Sequence, residues 1–299
     1  MIEKIFIPTY GRVGKQKTYH NLPKKYQKKT YLVIRIEELD LHKDIPDENL
    51  IILNDEISNI AQTREAIAYL AGTTRYAVFD DDLGFKVRFR NIWKNREGQP
   101  RHKEVCEMEQ PESYTKKHPE DVGKGWWKYY DMTEQDFDDL FNMVDGWFDT
   151  GITLAGMRMS SLAMPPYPAV ENSNCHGAMF YNGELLPTKK LDWTKYEVCE
   201  DVYVNMQLLE MGYRNRVTNE YCYEVKPLTY DAPEGCNKAG RTIERNNEII
   251  RELEKRWPGY VKVTENTNKE KRTQGDVEEL KFSCEYSRFY NDKNNKMLF

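Results

Sequence analysis

The chain has 299 residues, enough for one large α/β domain or two modest ones. Hydrophobic residues make up 39% and charged residues 31%, and the 12% aromatic content excludes wholesale disorder. A formal net charge of −5 excludes a dedicated basic DNA-binding domain, though not an enzyme that meets nucleic acid through a local patch.

Ile5-Phe6-Ile7 is a short apolar strand closed by Pro8-Thr9-Tyr10-Gly11-Arg12. Tyr31-Leu32-Val33-Ile34-Arg35 and Leu50-Ile51-Ile52-Leu53 are the next two strands. Ser58 or Asn59 caps a helix whose apolar residues Ile60, Ile67 and Ala71 recur at helical spacing, and Gly72 ends it. A fourth strand, Tyr76 to Phe79, runs into Asp80-Asp81-Asp82. Strands alternating with helices predict a mostly parallel central sheet flanked by helices. Residues 84–131 break the rhythm with Ile92-Trp93, Trp126-Trp127 and Tyr129-Tyr130 among arginines and lysines, a polar, aromatic-rich insertion. Thr133 then starts a helix with the apolar stripe Phe137, Leu140, Phe141, Val144, Trp147 and Phe148. Gly151 to Gly156 begins a second sheet segment, and Pro165-Pro166-Tyr167-Pro168 is a turn or extended stretch. Ala178 to Tyr181 is a strand. Glu200-Asp201 opens a helix closed by Gly212, and a cationic loop, Gly235 to Arg241, precedes a helix from Thr242 to Arg256. Beyond Val263 the Lys/Glu/Asn-rich composition predicts an extension or arm. One continuous unit is expected, with residues 1–90 binding nucleotide, 91–131 inserted, 132–262 forming the acceptor and catalytic half, and 263–299 extending it.

The six cysteines include no C-x-x-C pair and the five histidines no H-E-x-x-H, so neither a zinc site nor a disulfide framework is expected. There is no signal-peptide pattern and no apolar run near the roughly 18 residues of a membrane span. The expectation is a cytoplasmic protein with no membrane contact.

The chemistry concentrates at a few places. Three adjacent carboxylates at a strand end repel one another unless something positive sits between them, and a hard divalent cation backed by phosphate oxygens fits; a solvated acidic turn is the plain alternative. In the Pro8–Arg12 loop, Thr9 and Tyr10 suit the two sides of a base and Arg12 suits a phosphate, or the loop is an ordinary turn. Arg64 either binds an anion at its helix start or pairs on the surface with Glu65 or Asp55. At Glu200-Asp201 two adjacent acids open a helix, where a carboxylate can take a proton from a hydroxyl, and helix N-terminal charge is the structural alternative. Gly177 permits close approach of a sugar, and His176 offers it a hydrogen bond. Lys238 and Arg241 suit closure over a diphosphate. Trp126 and Trp127 either stack on bases or form a small satellite core.

The order Ile-Pro-Thr-Tyr-Gly-Arg12, Asn59-Ile-Ala-Gln-Thr-Arg64, then Tyr-Ala-Val-Phe-Asp-Asp-Asp82, resembles the nucleotide-sugar half of a GT-A glycosyltransferase. The resemblance implies that Asp80 and Asp82 bind a divalent metal (Mn²⁺ or Mg²⁺), with Asp80 and Asp81 on the donor side, and that Pro8, Thr9, Tyr10 and Arg12 form the nucleotide loop. It also implies that Val198-Cys199-Glu200-Asp201-Val202 carries the base, with Asp201 favoured for that role and Glu200 as an acceptor or sugar contact, the reverse order staying open. Many GT-A enzymes supply a late histidine to the metal, and this chain has none after His176, leaving Asp231 or water as substitute. With the Gly-x-x-x-x-Gly-Arg loop and Arg256-Trp-Pro-Gly-Tyr-Val261, the chain is most similar to phage-type DNA glycosyltransferases of the TET-associated glycosyltransferase group. That likeness implies transfer of a sugar, with a UDP-sugar as the expected donor, by direct displacement with inversion to a 5-hydroxymethylated pyrimidine flipped out of DNA, in the host cytoplasm if phage-encoded. The competing readings are a GT-A enzyme acting on a glycan, lipid or protein, a nucleotidyltransferase, and a non-enzymatic nucleic-acid-binding module.

Overall fold

In the computed structural model, the described residues are 1–12, 14–90, 127–163, 167–225, 241–265, 273–274 and 276–294. The first half is parallel. Strands β1 (Lys4–Pro8), β2 (Thr30–Arg35), β3 (Leu50–Leu53) and β4 (Arg75–Phe79) lie side by side in the order β3-β2-β1-β4. Ile5, Phe6 and Ile7 are all buried, as expected of a strand covered on both faces.

The sheet then continues with reversals. The remaining strands are β5 (Gly84–Arg90), β6 (Trp127–Asp131), β7 (Ile152–Met159), β8 (Ala169–Glu171), β9 (Ala178–Asn182) and β10 (Arg214–Glu224). β9 runs antiparallel to both β4 and β7, β7 and β10 are parallel, and β5 and β6 follow antiparallel at the far edge. β8 is a short antiparallel addition to β10. The expected insertion at 84–131 therefore begins and ends as sheet: its flanks are the paired strands β5 and β6, and residues 91–126 lie outside the described residues. β10 is the element that sequence patterning passed over. Its buried faces include Asn215, Thr218 and Asn219, whose polarity breaks the apolar alternation of a strand.

Helices α1 (Lys17–Asn21), α2 (Lys24–Gln27), α3 (Ile60–Ala71), α4 (Glu134–Asp149), α5 (Glu200–Glu210), α6 (Ile243–Arg256) and α7 (Tyr286–Asn294) surround the sheet. Asn59 caps α3 by accepting the Gln62 N–H at 3.0 Å, and Gly72 ends it at φ +62°. Thr133 and Asp136 form a reciprocal capping box on α4. Phe137, Leu140, Phe141 and Val144 of α4 pack on one sheet face with Ile5, Ile7 and Phe180, while Ile67 and Ala68 of α3 pack on the other with Phe6, Tyr76 and Met179. This is the GT-A-like α/β architecture the sequence implied.

The C-terminal elements form a third apolar cluster. Tyr203, Met206 and Leu209 of α5 meet Ile249, Leu253 and Trp257 from α6 and its end, and Phe289 of α7 fills the centre. Strand β11 (Val261–Thr264) pairs with the later strand Lys281–Cys284 beside them. Residues past Val263 are thus partly core rather than wholly an arm. No helix among the described residues is long and apolar enough to cross a membrane. Because Phe289 is fully buried, Phe289→Ala should destabilise the protein by about 3–5 kcal/mol in urea unfolding. A loss below about 1 kcal/mol would place α7 outside the cooperative core.

Candidate active site

The C-terminal ends of β1, β2 and β4, with the N-termini of α3 and α5, enclose a cleft of ≈ 520 Å³. Ligands of open α/β sheets bind beyond these strand ends. Pro8, Thr9, Tyr10, Arg12, Arg64, Asp80, Asp81, Asp82, His176, Glu200, Asp201 and Arg241 all line it.

The acidic triplet is neutralised from within. Arg12 is buried, and its Nη1 lies 2.6 Å from Asp81 Oδ1 and 2.9 Å from Asp82 Oδ2. Thr9 donates to the other Asp81 oxygen at 2.6 Å, and Gln16 donates to Thr9 at 3.0 Å. Both Asp81 oxygens are therefore spent on the loop after β1. The guanidinium that the sequence offered to a phosphate is taken up by the carboxylates, because they are the nearest uncompensated charge. Two more contacts fix the backbone of the turn. The Asp80 N–H donates to the Gly177 carbonyl at 2.8 Å, and Thr18 of α1 accepts the Leu83 N–H at 2.8 Å while donating to the Asp80 carbonyl.

Arg64 connects this motif to the second half. It is buried rather than paired at the surface with Glu65 or Asp55. Its Nη2 donates to Asp80 Oδ1 at 2.8 Å, and its Nε lies 2.9 Å from Glu200 Oε1 without hydrogen-bond alignment. One guanidinium thus joins residues far apart in sequence. Helix α5 starts abruptly because Cys199, its N-cap, adopts a left-handed conformation (φ 58°, ψ 23°). That turn sends Glu200 toward Arg64, while Asp201 keeps a place on the cleft wall with its Oδ1 accepting the Val202 N–H at 2.7 Å.

A family model described as TET-Associated Glycosyltransferase matches residues 3–232. The chain belongs to this family. It is therefore an enzyme that transfers glycosyl groups. It is also similar to two proteins named beta-glucosyl-HMC-alpha-glucosyl-transferase, from Enterobacteria phages T6 and T2. Each is 23% identical over 280 residues, covering 92% of this chain and 89% of the relative.

In this glycosyltransferase, electrostatics separates the acids. Burial pushes the Asp81 carboxyl up to about 7 against the pull of Arg12, and the Asp80 carboxyl to about 6 against Arg64. The Asp80 side chain is 40% exposed at the cleft wall, so solvent offsets part of its rise. Glu200 rises to about 7 through burial and the adjacent Asp201 charge, opposed by Arg64. Burial lowers His176 below its ordinary value, with Asp201 opposing and Arg158 and Arg64 adding to the fall, which favours the uncharged imidazole.

The other expected residues divide. Gly177 sits at φ +69°, and a Cβ there would fall 2.7 Å from the Tyr223 ring, so its missing side chain makes room for Tyr223. Lys238, Trp126 and Asp231 lie outside the described residues. Trp127 lies on edge strand β6, and its side chain is likewise outside them. Sequence reading missed Arg35, whose guanidinium lies 3.7 Å over the Tyr10 ring, and Arg245, which grips Glu197 through two contacts, one of 3.2 Å. It also missed Asn174 and Phe282 on the cleft wall. Arg35 stands at the C-terminal end of a predicted strand, a signal that was present; the others carry no local motif.

These shifts set a pH dependence. A carboxyl whose folded pKa is raised holds a proton that the unfolded chain has released, so stability falls as pH rises through the folded value. Between pH 5 and 8 in metal-free buffer the urea midpoint should fall, driven by Asp81, Asp80 and Glu200. Glu200→Gln should flatten that fall; an unchanged slope would remove Glu200 from the linkage. Acids with lowered values, such as Glu197, act below this window.

Proposed function

We propose that this enzyme moves a hexose from a UDP-sugar to a hydroxyl on a hydroxymethylated pyrimidine of DNA, or on a sugar already attached to one. The observation that carries this is the Arg64 bridge, which seats the donor-side acid Asp80 and the base helix at Glu200 in one cleft. Support for the acceptor comes from the phage relatives, whose names specify glucosylated hydroxymethylcytosine.

The residues present fit a divalent cation of the Mg²⁺ or Mn²⁺ kind. Asp80 Oδ2 and Asp82 Oδ1 make no hydrogen bond or ion pair with the described residues, and both side chains line the cleft. Among the described residues no group of three or more His, Cys, Asp or Glu is placed to hold a metal ion unaided. A cation there would be held by two carboxylates and completed by substrate phosphates and water. When bound, it would supply positive charge to the departing diphosphate.

The rest falls to the chain itself. Tyr10, stacked under Arg35, offers a flat face to the uracil ring. Glu200 is engaged by Arg64, so it holds the helix start in place. Asp201, with its second oxygen uncommitted among the described residues, is the base that takes the acceptor proton. The lowered pKa of His176 beside it disfavours a positive charge there that would weaken Asp201 as a base.

Incubation with Mn²⁺, a panel of UDP-sugars, and DNA bearing cytosine, hydroxymethylcytosine or glucosylated hydroxymethylcytosine, followed by nucleoside mass analysis, should show added hexose only on the modified bases. No added sugar with any donor, beside active controls, would sink the DNA-acceptor assignment. The anomeric configuration of the product reads inversion or retention. Asp201→Asn should lower kcat by roughly 10²- to 10⁴-fold with little change in donor KM. Asp82→Asn should instead weaken donor use and shift its metal requirement upward; equal effects of both variants on kcat and KM would erase this division of roles.

A further inference from the structure

The stretch from Asn172 to Gly177, which puts Asn174 and His176 on the cleft wall, is held by a network of buried side chains. Ser173 is its anchor. The Ser173 carbonyl accepts from Asn205 and from Asn215, each at 2.9 Å, and its N–H donates to Asn215 Oδ1 at 2.8 Å. Asn205 and Asn215 are themselves joined and buried. Arg158, also buried, donates to Ser173 Oγ at 2.8 Å and to the Asn174 carbonyl at 3.5 Å. A buried amide network of this kind rigidifies what it supports.

What it supports is Asn174. The Tyr286 hydroxyl, from the first turn of α7, donates to Asn174 Oδ1 at 3.0 Å. In this arrangement the amide oxygen faces Tyr286 and the amide nitrogen faces away from it. The opposite end, Nδ2 with two N–H donors, makes no hydrogen bond with the described residues, and the residue lines the cleft. Its companions on the wall are the His176 imidazole and the Asp201 carboxylate. An amide donor, an imidazole and a carboxylate together complement neighbouring hydroxyls, which accept from the first and donate to the last. They do not complement a phosphate, which the Asp201 carboxylate would repel.

We propose that Asn174 is a substrate-contacting residue that donates to a hydroxyl of a sugar ring, and that Tyr286 is its positioning residue. The C-terminal segment, beyond the 3–232 span of the family match, then completes the sugar site. This rests on the glycosyl-transfer reading and adds the group that reads the sugar. The ring belongs either to the donor or to an acceptor already glycosylated.

Calorimetric titration separates the two. UDP is compared with UDP-glucose, and a duplex carrying hydroxymethylcytosine with one carrying glucosylated hydroxymethylcytosine, on wild type, Asn174→Ala, Tyr286→Phe and the double variant. Wild type should bind one sugar-bearing member more tightly than its sugar-free partner. Asn174→Ala should weaken that member by about 5- to 100-fold while the sugar-free partner stays within about 2-fold. Tyr286→Phe should give part of the loss, and the double variant should match Asn174→Ala, because both act through one amide. Loss in the nucleotide pair assigns the donor sugar, and loss in the DNA pair the acceptor sugar. A sugar preference that survives Asn174→Ala, or that wild type lacks in both pairs, overturns the inference. Equal weakening of sugar-free and sugar-bearing members also overturns it, by marking Asn174 as structural. A failure of UDP itself to bind wild type would instead strike the UDP-donor reading and leave the DNA arm to decide this one.

Discussion

Three adjacent aspartates cannot share the end of a strand without countercharge, and the rest of the site is arranged around supplying it. Arg12 arrives from the loop after β1 and meets Asp81 and Asp82; Arg64 arrives from α3 and meets Asp80. Both guanidiniums are buried. A buried pair is costly to desolvate and costlier to break, so each arginine ties its element to the acidic turn. The loop, α3 and the turn therefore keep one geometry.

Arg64 extends that constraint across the molecule. Its second ion pair, with Glu200, links the parallel first half of the sheet to the helix that carries Asp201. The adjacent acids at the start of α5 are thereby distinguished. Glu200 is drawn inward to a cation, and Asp201 is left at the wall. Burial raises Glu200 while the ion pair lowers it, and the balance leaves it with a carboxyl pKa near neutrality. Neighbouring carboxylates thus come to differ, one held by a buried cation and one left facing the cleft.

Much of the fold was legible. Continuous apolar runs marked β1 to β4, the stripe from Phe137 to Phe148 marked α4, and Thr242 marked the start of α6. β10 was not legible, because Asn215 and Asn219 spend their polarity on buried hydrogen bonds that a sequence pattern counts as exposure. The C-terminal segment differs from its reading as an arm for a related reason: Tyr286 and Phe289 stand in a polar stretch with Glu285, Arg288, Asp292 and Lys293, and only packing against α5 shows that they are core.

By itself the sequence determined the local chemistry: an acidic triplet after a buried strand, a Pro-Thr-Tyr-Gly-Arg loop, and a Glu-Asp helix start, each set by residues close in the chain. The tertiary structure decided how those pieces are used. It turned Arg12 from a phosphate ligand into countercharge, gave Gly177 to Tyr223, chose Glu200 over Asp201 for Arg64, and brought Tyr286 to Asn174 across 112 residues. The physical reason is burial. Charge and hydrogen-bond demands that water would meet in the open chain must be met inside by whichever partner the packing brings near, and sequence proximity does not name that partner.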